Sequence, residues 1–239
     1  MENNSLLPPS NQVEEVSRLI QRGLIPKEVP TVSGFDIAAG TSLDPGGSGR
    51  NVWSHFSLSV GRIGLVILHA QGEGLPAAHF LALARSLLKE MALDHDGLVG
   101  LLARVNSGMA DAVPEGSTQH VEAGIVLPGD RKIEWASAGR CPGALIKRDG
   151  VLAEFSSHGP PLGVLGGFLY GTQEVELGAG DAVVVLSGAS QGVFRGATDL
   201  VAALQGKPVA EIVTTVQKAL KKAQPDTALE SSVLLLRRQ

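Results

Sequence analysis

Apolar residues recur along most of this chain in short runs separated by glycine, which is the pattern of strands joined by tight turns. The run at 62–68 is apolar almost throughout, so we expect its strand to be buried on both faces. The runs that predict strands are 35–39, 52–58, 62–68, 121–127, 133–137, 144–147, 151–155, 172–177, 182–186 and 232–236.

Longer segments with apolar residues at helical spacing lie between these groups of strands. Residues 77–93 follow Pro76 and are apolar on most faces, which predicts a buried helix. Asp96 is the expected N-cap of the next helix, and a last helix should follow Pro208. The helices are therefore grouped apart from the strands and do not alternate with them.

A separate helix is predicted near the start of the chain, from Asn11 to about Gly23. Val13, Val16 and Ile20 form a narrow apolar stripe along it, of the kind found in helix pairs. So short a helix is marginal alone in water, and the stripe must pack on something. The sequence does not decide whether the stripe packs on a second copy of the chain or on its own domain.

Turn sequences at 128–130 and 148–150 join neighbouring strand runs as hairpins. Strands linked in this way form antiparallel sheets, and segregated helices cover the outer faces of such sheets. We predict an α+β fold in which two antiparallel β-sheets form a sandwich flanked by helices. The expected organisation is a loose tail at 1–10, an N-terminal helix and linker at 11–30, and one domain at 31–239.

Composition narrows the functional classes. Of 239 residues, 44% are apolar and 18% are charged, which is enough for a packed core and excludes a disordered chain. The net charge of −4 offers no electrostatic footprint for nucleic acid. The single cysteine, Cys141, excludes an internal disulfide, and neither a signal peptide nor a membrane-length apolar run is present. We expect a soluble cytoplasmic protein that binds neither nucleic acid nor membrane.

Several segments together resemble the SpoIIE/RsbU group of bacterial serine phosphatases, members of the metal-dependent protein phosphatase superfamily related to phosphatase 2C. The resembling segments occur in the family's order and extend over roughly 18–238; they are 24–40, 65–78, 133–150, 159–165 and 175–190. The resemblance implies two face-to-face antiparallel sheets with helices outside, an α-β-β-α arrangement that agrees with the pattern above.

In that family, aspartates hold Mn²⁺ or Mg²⁺ ions that activate a water for attack on a phosphoserine or phosphothreonine. The matching positions of this chain carry other residues: Asn51, Ser54, His69, Gly188 and Ser231. An alternative alignment on Gly46 and Gly47 puts Ser48 at the first position, again without a carboxylate. The turn that would line the pocket consists of Gly72, Glu73 and Gly74.

These departures predict a pseudophosphatase with no cofactor and no catalytic residue, which acts in bacterial signalling by binding a protein. The resemblance suggests an anti-anti-sigma-like partner, free or phosphorylated, and a homodimer formed through the N-terminal helix. The principal alternative is a divergent serine/threonine phosphatase acting on such a protein.

The sequence leaves three alternatives for this pocket: a zinc site, a magnesium or manganese site built from other residues, and a site for a small molecule. His55, His69 and Glu73 could supply a zinc site, although zinc needs three or four convergent ligands. Carboxylates at other loop positions could hold Mg²⁺ or Mn²⁺; the candidates are Asp44, Asp226 and Glu230. A small anion or a nucleotide in the vacated pocket is the third reading.

Overall fold

The computed structural model describes residues 10–43, 49–72, 74–114, 117–187, 191–223 and 231–239. The strands within them are β1 (Phe35–Thr41), β2 (Asn51–Ser57), β3 (Ile63–Ala70), β4 (Val121–Pro128), β5 (Lys132–Ala138), β6 (Gly143–Ile146), β7 (Leu152–Glu154), β8 (Gln173–Glu176), β9 (Ala182–Leu186) and β10 (Ser232–Arg238). The helices are α1 (Ser10–Leu24), α2 (Gly74–Met91), α3 (Leu98–Ala112), α4 (Gln191–Ala203) and α5 (Val209–Ala223).

The strands form two five-stranded sheets, in the orders β1-β10-β9-β6-β7 and β2-β3-β4-β5-β8. Every strand pairs antiparallel with its neighbours. The first sheet contains the strands from both ends of the domain, because β10 returns between β1 and β9. The predicted α+β sandwich of two antiparallel sheets is confirmed.

Apolar side chains fill the space between the two sheets. The second sheet contributes Trp53, Leu65 and Ile67 to this layer, and the first contributes Val183, Val185, Leu234 and Leu236 among others. Along β3 the alternate residues Val66 and Leu68 turn the other way, into a layer under α2 and α3. The nearly continuous apolar run of β3 is thus buried on both faces, as its sequence predicted.

Helices cover both outer faces of the sandwich. The helices α2 and α3 pack on the second sheet through side chains such as Leu81, Leu101 and Met109. On the first sheet, α4 and α5 pack through Phe194 and Val216 among others. Among the described helices, none has the length and apolar character required to cross a bilayer.

The N-terminal helix α1 lies against α2 and β2 of its own domain. The side chains that it buries are polar: Ser17 and Gln21 are fully enclosed, and Gln21 Nε2 donates to the Asn51 carbonyl over 2.7 Å. Gly49 packs so closely that an added Cβ would lie 3.0 Å from the Ser17 carbonyl oxygen. The helix therefore braces the start of β2, and the intramolecular packing that the sequence left open is present.

Most predicted elements occur within two or three residues of their expected bounds. Both hairpin turns are confirmed: Gly129 N donates to the Lys132 carbonyl at 2.8 Å, and Lys147 N donates to the Val151 carbonyl at the same distance. The prediction that Asp96 caps α3 is wrong, because the N-cap is Gly97 and no side chain caps this helix. The helix α4 had not been predicted. The predicted tail at 1–10 lies, apart from Ser10, outside the described residues.

Candidate functional site

Asn51 and His69 meet at one end of the second sheet. Asn51 opens β2, and His69 stands directly opposite it near the end of β3. The His69 Nδ1 lies 2.8 Å from the Asn51 Oδ1, within hydrogen-bond distance. Asn51 is fully buried, and its backbone carbonyl accepts the Gln21 bond from α1. These two predicted site residues are therefore brought together and fixed from both sides.

Strand alternation turns both side chains toward the opposite sheet. Trp53 and Ile67, two residues from Asn51 and His69 respectively, belong to the layer between the sheets. Residues two apart on a strand share a face, so Asn51 and His69 share this one. The strands β1 and β10 of the first sheet lie against β2, which brings the two sheets together near these residues.

Three hydroxyl groups occupy the corresponding end of the first sheet. Thr41 ends β1, Ser187 follows β9 and Ser232 opens β10. Each lies two residues from a side chain of the layer between the sheets and therefore shares its face. The Thr41 and Ser232 hydroxyls are 2.7 Å apart, and Ser232 N donates to Ser187 Oγ at 2.9 Å. We call Thr41, Asn51, His69, Ser187 and Ser232 the strand-end cluster.

The electrostatics of the strand-end cluster are dominated by burial and by positive charge. The pKa of His69 is lowered to about 4, chiefly by burial and to a lesser extent by the charges of Arg50 and His120. The imidazole is therefore neutral near pH 7. Among the described residues, no carboxylate contributes to the lowered pKa of this ring, whereas a site for divalent cations is surrounded by carboxylates.

Ser54 does not join the strand-end cluster. It lies three residues after Asn51 and so occupies the opposite face of β2, beneath α2. Its Oγ accepts a hydrogen bond from Arg85 Nε over 3.1 Å. Burial lowers the pKa of the Arg85 guanidinium, which nevertheless stays charged at any physiological pH. The structure thus places Ser54 on the face of β2 opposite to Asn51, away from the Asn51–His69 contact.

The remaining predicted site residues are divided between described and undescribed parts of the chain. Ser231 is buried just before β10, its carbonyl accepts from Ser42 N at 2.9 Å, and its hydroxyl has no partner among the described residues. Gly72 and Gly74 flank the start of α2 with φ of 91° and 67°, which only glycine adopts readily. Glu73 and Gly188 lie outside the described residues, as do Ser48, Asp44, Asp226 and Glu230.

The described residues at the predicted metal positions do not fit a hard divalent cation. The Asn51 amide oxygen is engaged by His69, and the Ser54 hydroxyl is engaged by a guanidinium. Among the described residues there is also no group of three or more histidines, cysteines or carboxylates that could hold a metal. The zinc alternative loses support, because His55 stands on β2 opposite Leu65, whereas His69 pairs with Asn51.

A family model for Stage II sporulation protein E (SpoIIE) matches residues 59–238. The chain belongs to the SpoIIE family. The resemblance to the SpoIIE group found in the sequence is thereby confirmed. No curated protein matches this SpoIIE-family chain significantly.

Solved structures share the fold at low sequence identity. The RsbU and RsbW domains of Rv1364c from Mycobacterium tuberculosis match with a TM-score of 0.72 and 21% identity over 88% of this chain and 61% of that one. The PP2C phosphatase domain of SpoIIE from Bacillus subtilis, solved with a fragment of its regulatory domain, matches with a TM-score of 0.69 and 16% identity. The match covers 85% of this chain and 62% of that one. The PP2C domain of SiaA from Pseudomonas aeruginosa matches with a TM-score of 0.73 and 17% identity over 96% of both chains. The SpoIIE-family chain thus spans about three fifths of the first two structures.

Two further matches overturn the prediction that no cofactor is used. The phosphatase PstP was solved in complex with 2 manganese ions, with a TM-score of 0.61 and 16% identity over 85% of this chain and 98% of that one. RsbX was solved in complex with magnesium. It matches with a TM-score of 0.62 and 14% identity over 89% of this chain and 99% of that one. One structure with this fold thus contains manganese and another contains magnesium, and the predicted absence of a cofactor is corrected accordingly.

Proposed function

We propose that this SpoIIE-family domain acts as a pseudophosphatase, which recognises a signalling protein without hydrolysing its phosphoester. The observation that carries the proposal is the hydrogen-bonded Asn51–His69 pair, which stands at two positions where the resemblance implies aspartates. Phosphoester hydrolysis in this family relies on cations held by carboxylates, which polarise the phosphate and activate water. Hydroxyl, amide and neutral imidazole groups supply none of the negative charge that this arrangement requires.

The preserved architecture supports a role in binding. The two sheets, the covering helices and the hairpins of the family's fold are present around the altered cluster. A buried Asn106 also holds the 160–170 segment in place: its Nδ2 donates to the Leu165 carbonyl at 2.7 Å, and its Oδ1 accepts from Gly163 N at 3.0 Å. A domain that keeps this framework can dock a protein without performing the reaction.

The partner that we propose is an anti-anti-sigma-like protein of a partner-switching pathway. In support, the Mycobacterium tuberculosis match contains RsbU and RsbW domains within one structure. A cytoplasmic location stays a prediction. The experiment that tests the proposed function is phosphate release from a phosphoserine peptide in the presence of Mn²⁺, and the proposal requires that no release is catalysed.

We also propose that the exposed face of α1 pairs two copies of the chain. Val16 and Leu19 are 46% and 58% exposed on this face, whereas Ile20 is half-buried against its own domain. Glu15, Arg18 and Arg22 surround Leu19, so an antiparallel second copy would bring opposite charges together. The contact stripe predicted from Val13, Val16 and Ile20 is revised to Val16 and Leu19.

Replacing Val16 and Leu19 together by glutamate should convert a dimer into a folded monomer, because buried charges at the contact cost more than the apolar contact contributes. Light scattering combined with a thermal melt measures both mass and folding. Leu93→Glu is the matched control: Leu93 is 61% exposed outside α1, and this variant should stay dimeric. A wild-type chain that is monomeric at high micromolar concentration would restrict α1 to its intramolecular role.

A further inference from the structure

A cavity of about 280 Å³ lies beside the turn at 139–142, which joins β5 to β6. Its other walls are the segment at 154–157, which starts at the end of β7, and Phe194 on α4. The cavity is close in size to the smallest pockets that hold small molecules in proteins. A ligand of this cavity should therefore be small.

The walls of the cavity are fixed by contacts of their own. The ring centroids of Trp135 and Phe155 are 5.1 Å apart, and Trp135 Nε1 donates to the Ser156 carbonyl at 3.0 Å. The Ser157 hydroxyl donates to the Gly139 carbonyl at 2.8 Å, which ties this segment to the turn. Few protein groups would have to be ordered when a ligand binds, so the cavity is preorganised.

The lining of the cavity combines apolar surface with two opposite charges. Phe155 and Phe194 contribute aromatic rings, and Phe194 is buried. Arg140 and Glu154 line the same cavity, and both are exposed. The ion pairs among the described residues involve other side chains, so neither of these two charges is neutralised by a salt bridge there. A ligand that carries both charges would pair with each of them.

Cys141 also lines the cavity, but it does not provide covalent chemistry. Its Sγ donates to the Leu186 carbonyl at 3.3 Å, and burial raises the pKa of the thiol. A neutral thiol is a weak nucleophile, so we expect non-covalent binding. Leu186 immediately precedes Ser187 of the strand-end cluster, which places the cavity next to the candidate functional site.

We propose that this cavity binds a small zwitterion with an apolar side chain, of the α-amino acid class. Arg140 donates charge-assisted hydrogen bonds to the carboxylate of the ligand, and Glu154 accepts such bonds from its ammonium group. The apolar side chain of the ligand contacts the rings of Phe155 and Phe194, where its burial removes apolar surface from water. Binding in this cavity does not depend on whether the domain hydrolyses a phosphoester.

Calorimetric titration of the full chain with L-leucine tests the cavity. Two analogues each lack one of the charges: L-leucinamide has no carboxylate, and N-acetyl-L-leucine has no ammonium group. Each analogue should bind at least about tenfold more weakly than L-leucine, because one charge-assisted hydrogen bond is lost. Tryptophan fluorescence gives a second readout, since Trp135 packs against the Phe155 wall of the cavity.

Substitutions of the two charged residues test the same site from the side of the protein. Arg140→Gln and Glu154→Gln should each weaken L-leucine binding at least about tenfold. Arg104→Gln on α3 and Glu176→Gln on β8 remove the same charges from exposed positions elsewhere and should bind as the wild type does. Thermal melts identify any variant that fails to fold, in which case the other member of the Arg140 and Glu154 pair decides.

Saturable L-leucine binding that Arg140→Gln and Glu154→Gln weaken, and that the two control variants leave unchanged, supports the site. The proposal is overturned if L-leucine does not bind up to about 10 mM, where a site with a Kd near 1 mM would be mostly filled. Binding that all the variants retain equally overturns it as well. Equal binding of either analogue, or a loss in only one of the two site variants, would show that a single charge suffices and would overturn the zwitterion.

Discussion

Acidification from neutral pH to about pH 4 should remove about 3 kcal/mol from the free energy of unfolding through His69 alone. The pKa of this ring is about 4 in the folded chain, against 6.5 for an unperturbed histidine, mainly because of burial. Between these two values the unfolded chain binds a proton that the folded chain does not. The stabilisation is therefore complete at neutral pH and is lost as the pH falls through this window. Urea titrations at a series of pH values measure it.

A substitution at the same position isolates the contribution of His69. His55 and His158 also have lowered pKa values because of burial, so the wild-type curve sums several groups of the same sign. His69→Gln cannot take up a proton and should flatten the curve by about the amount above. His79→Gln, at an exposed position on α2, serves as the control for the effect of the substitution itself. Equal slopes for His69→Gln and the wild type would contradict the buried, neutral imidazole.

Gly124→Ala should destabilise the fold by about 3 kcal/mol, near the upper end of what overpacking a core costs. Gly124 lies on β4 and faces the first sheet, at a point where the two sheets approach closely. An added Cβ would lie 2.6 Å from Cys141 Sγ, 2.9 Å from Val185 Cγ1 and 3.0 Å from the Trp135 ring. All three neighbours are buried, so part of the core must shift to accept the added atom. Thermal or chemical denaturation measures the loss.

The same substitution on α4 is the matched control for Gly124. A Cβ at Gly196 would meet no atom within 4 Å, and alanine is the better helix former. Gly196→Ala should therefore stabilise the chain, by about 1 kcal/mol or less. A Gly124→Ala variant as stable as the wild type would contradict the close approach of the two sheets at β4.

Most strands and helices could be predicted from the local sequence, because the alternation of apolar and polar residues and the residues of tight turns act over only a few positions. The helix α4 escaped prediction because Gly192 and Gly196 lower its helix propensity. A signal was nevertheless present: Phe194, Ala197 and Val201 are all buried and recur at helical spacing. Packing against α5 and the first sheet outweighs the two glycines.

The site could be predicted only in part. The sequence resemblance placed Asn51 and His69 together, and the period of a strand could have separated Ser54 from them, since positions three apart face opposite ways. The Arg85 contact with Ser54 joins α2 to β2, and no local pattern encodes a contact between such distant segments. Thr41 and Ser187 were missed for the same reason, because the pairing of β1, β9 and β10 is non-local.

The most direct test of the central claim is phosphate release from a phosphoserine peptide, measured with the domain in molar excess and with Mn²⁺ or Mg²⁺ supplied. The account predicts no release above that of the buffer, either for the wild type or for His69→Asp, because one carboxylate cannot hold two dications that each need several oxygen ligands. Metal-dependent release by the wild type that is lost in Asn51→Ala or His69→Ala would contradict the account and identify the domain as an active phosphatase.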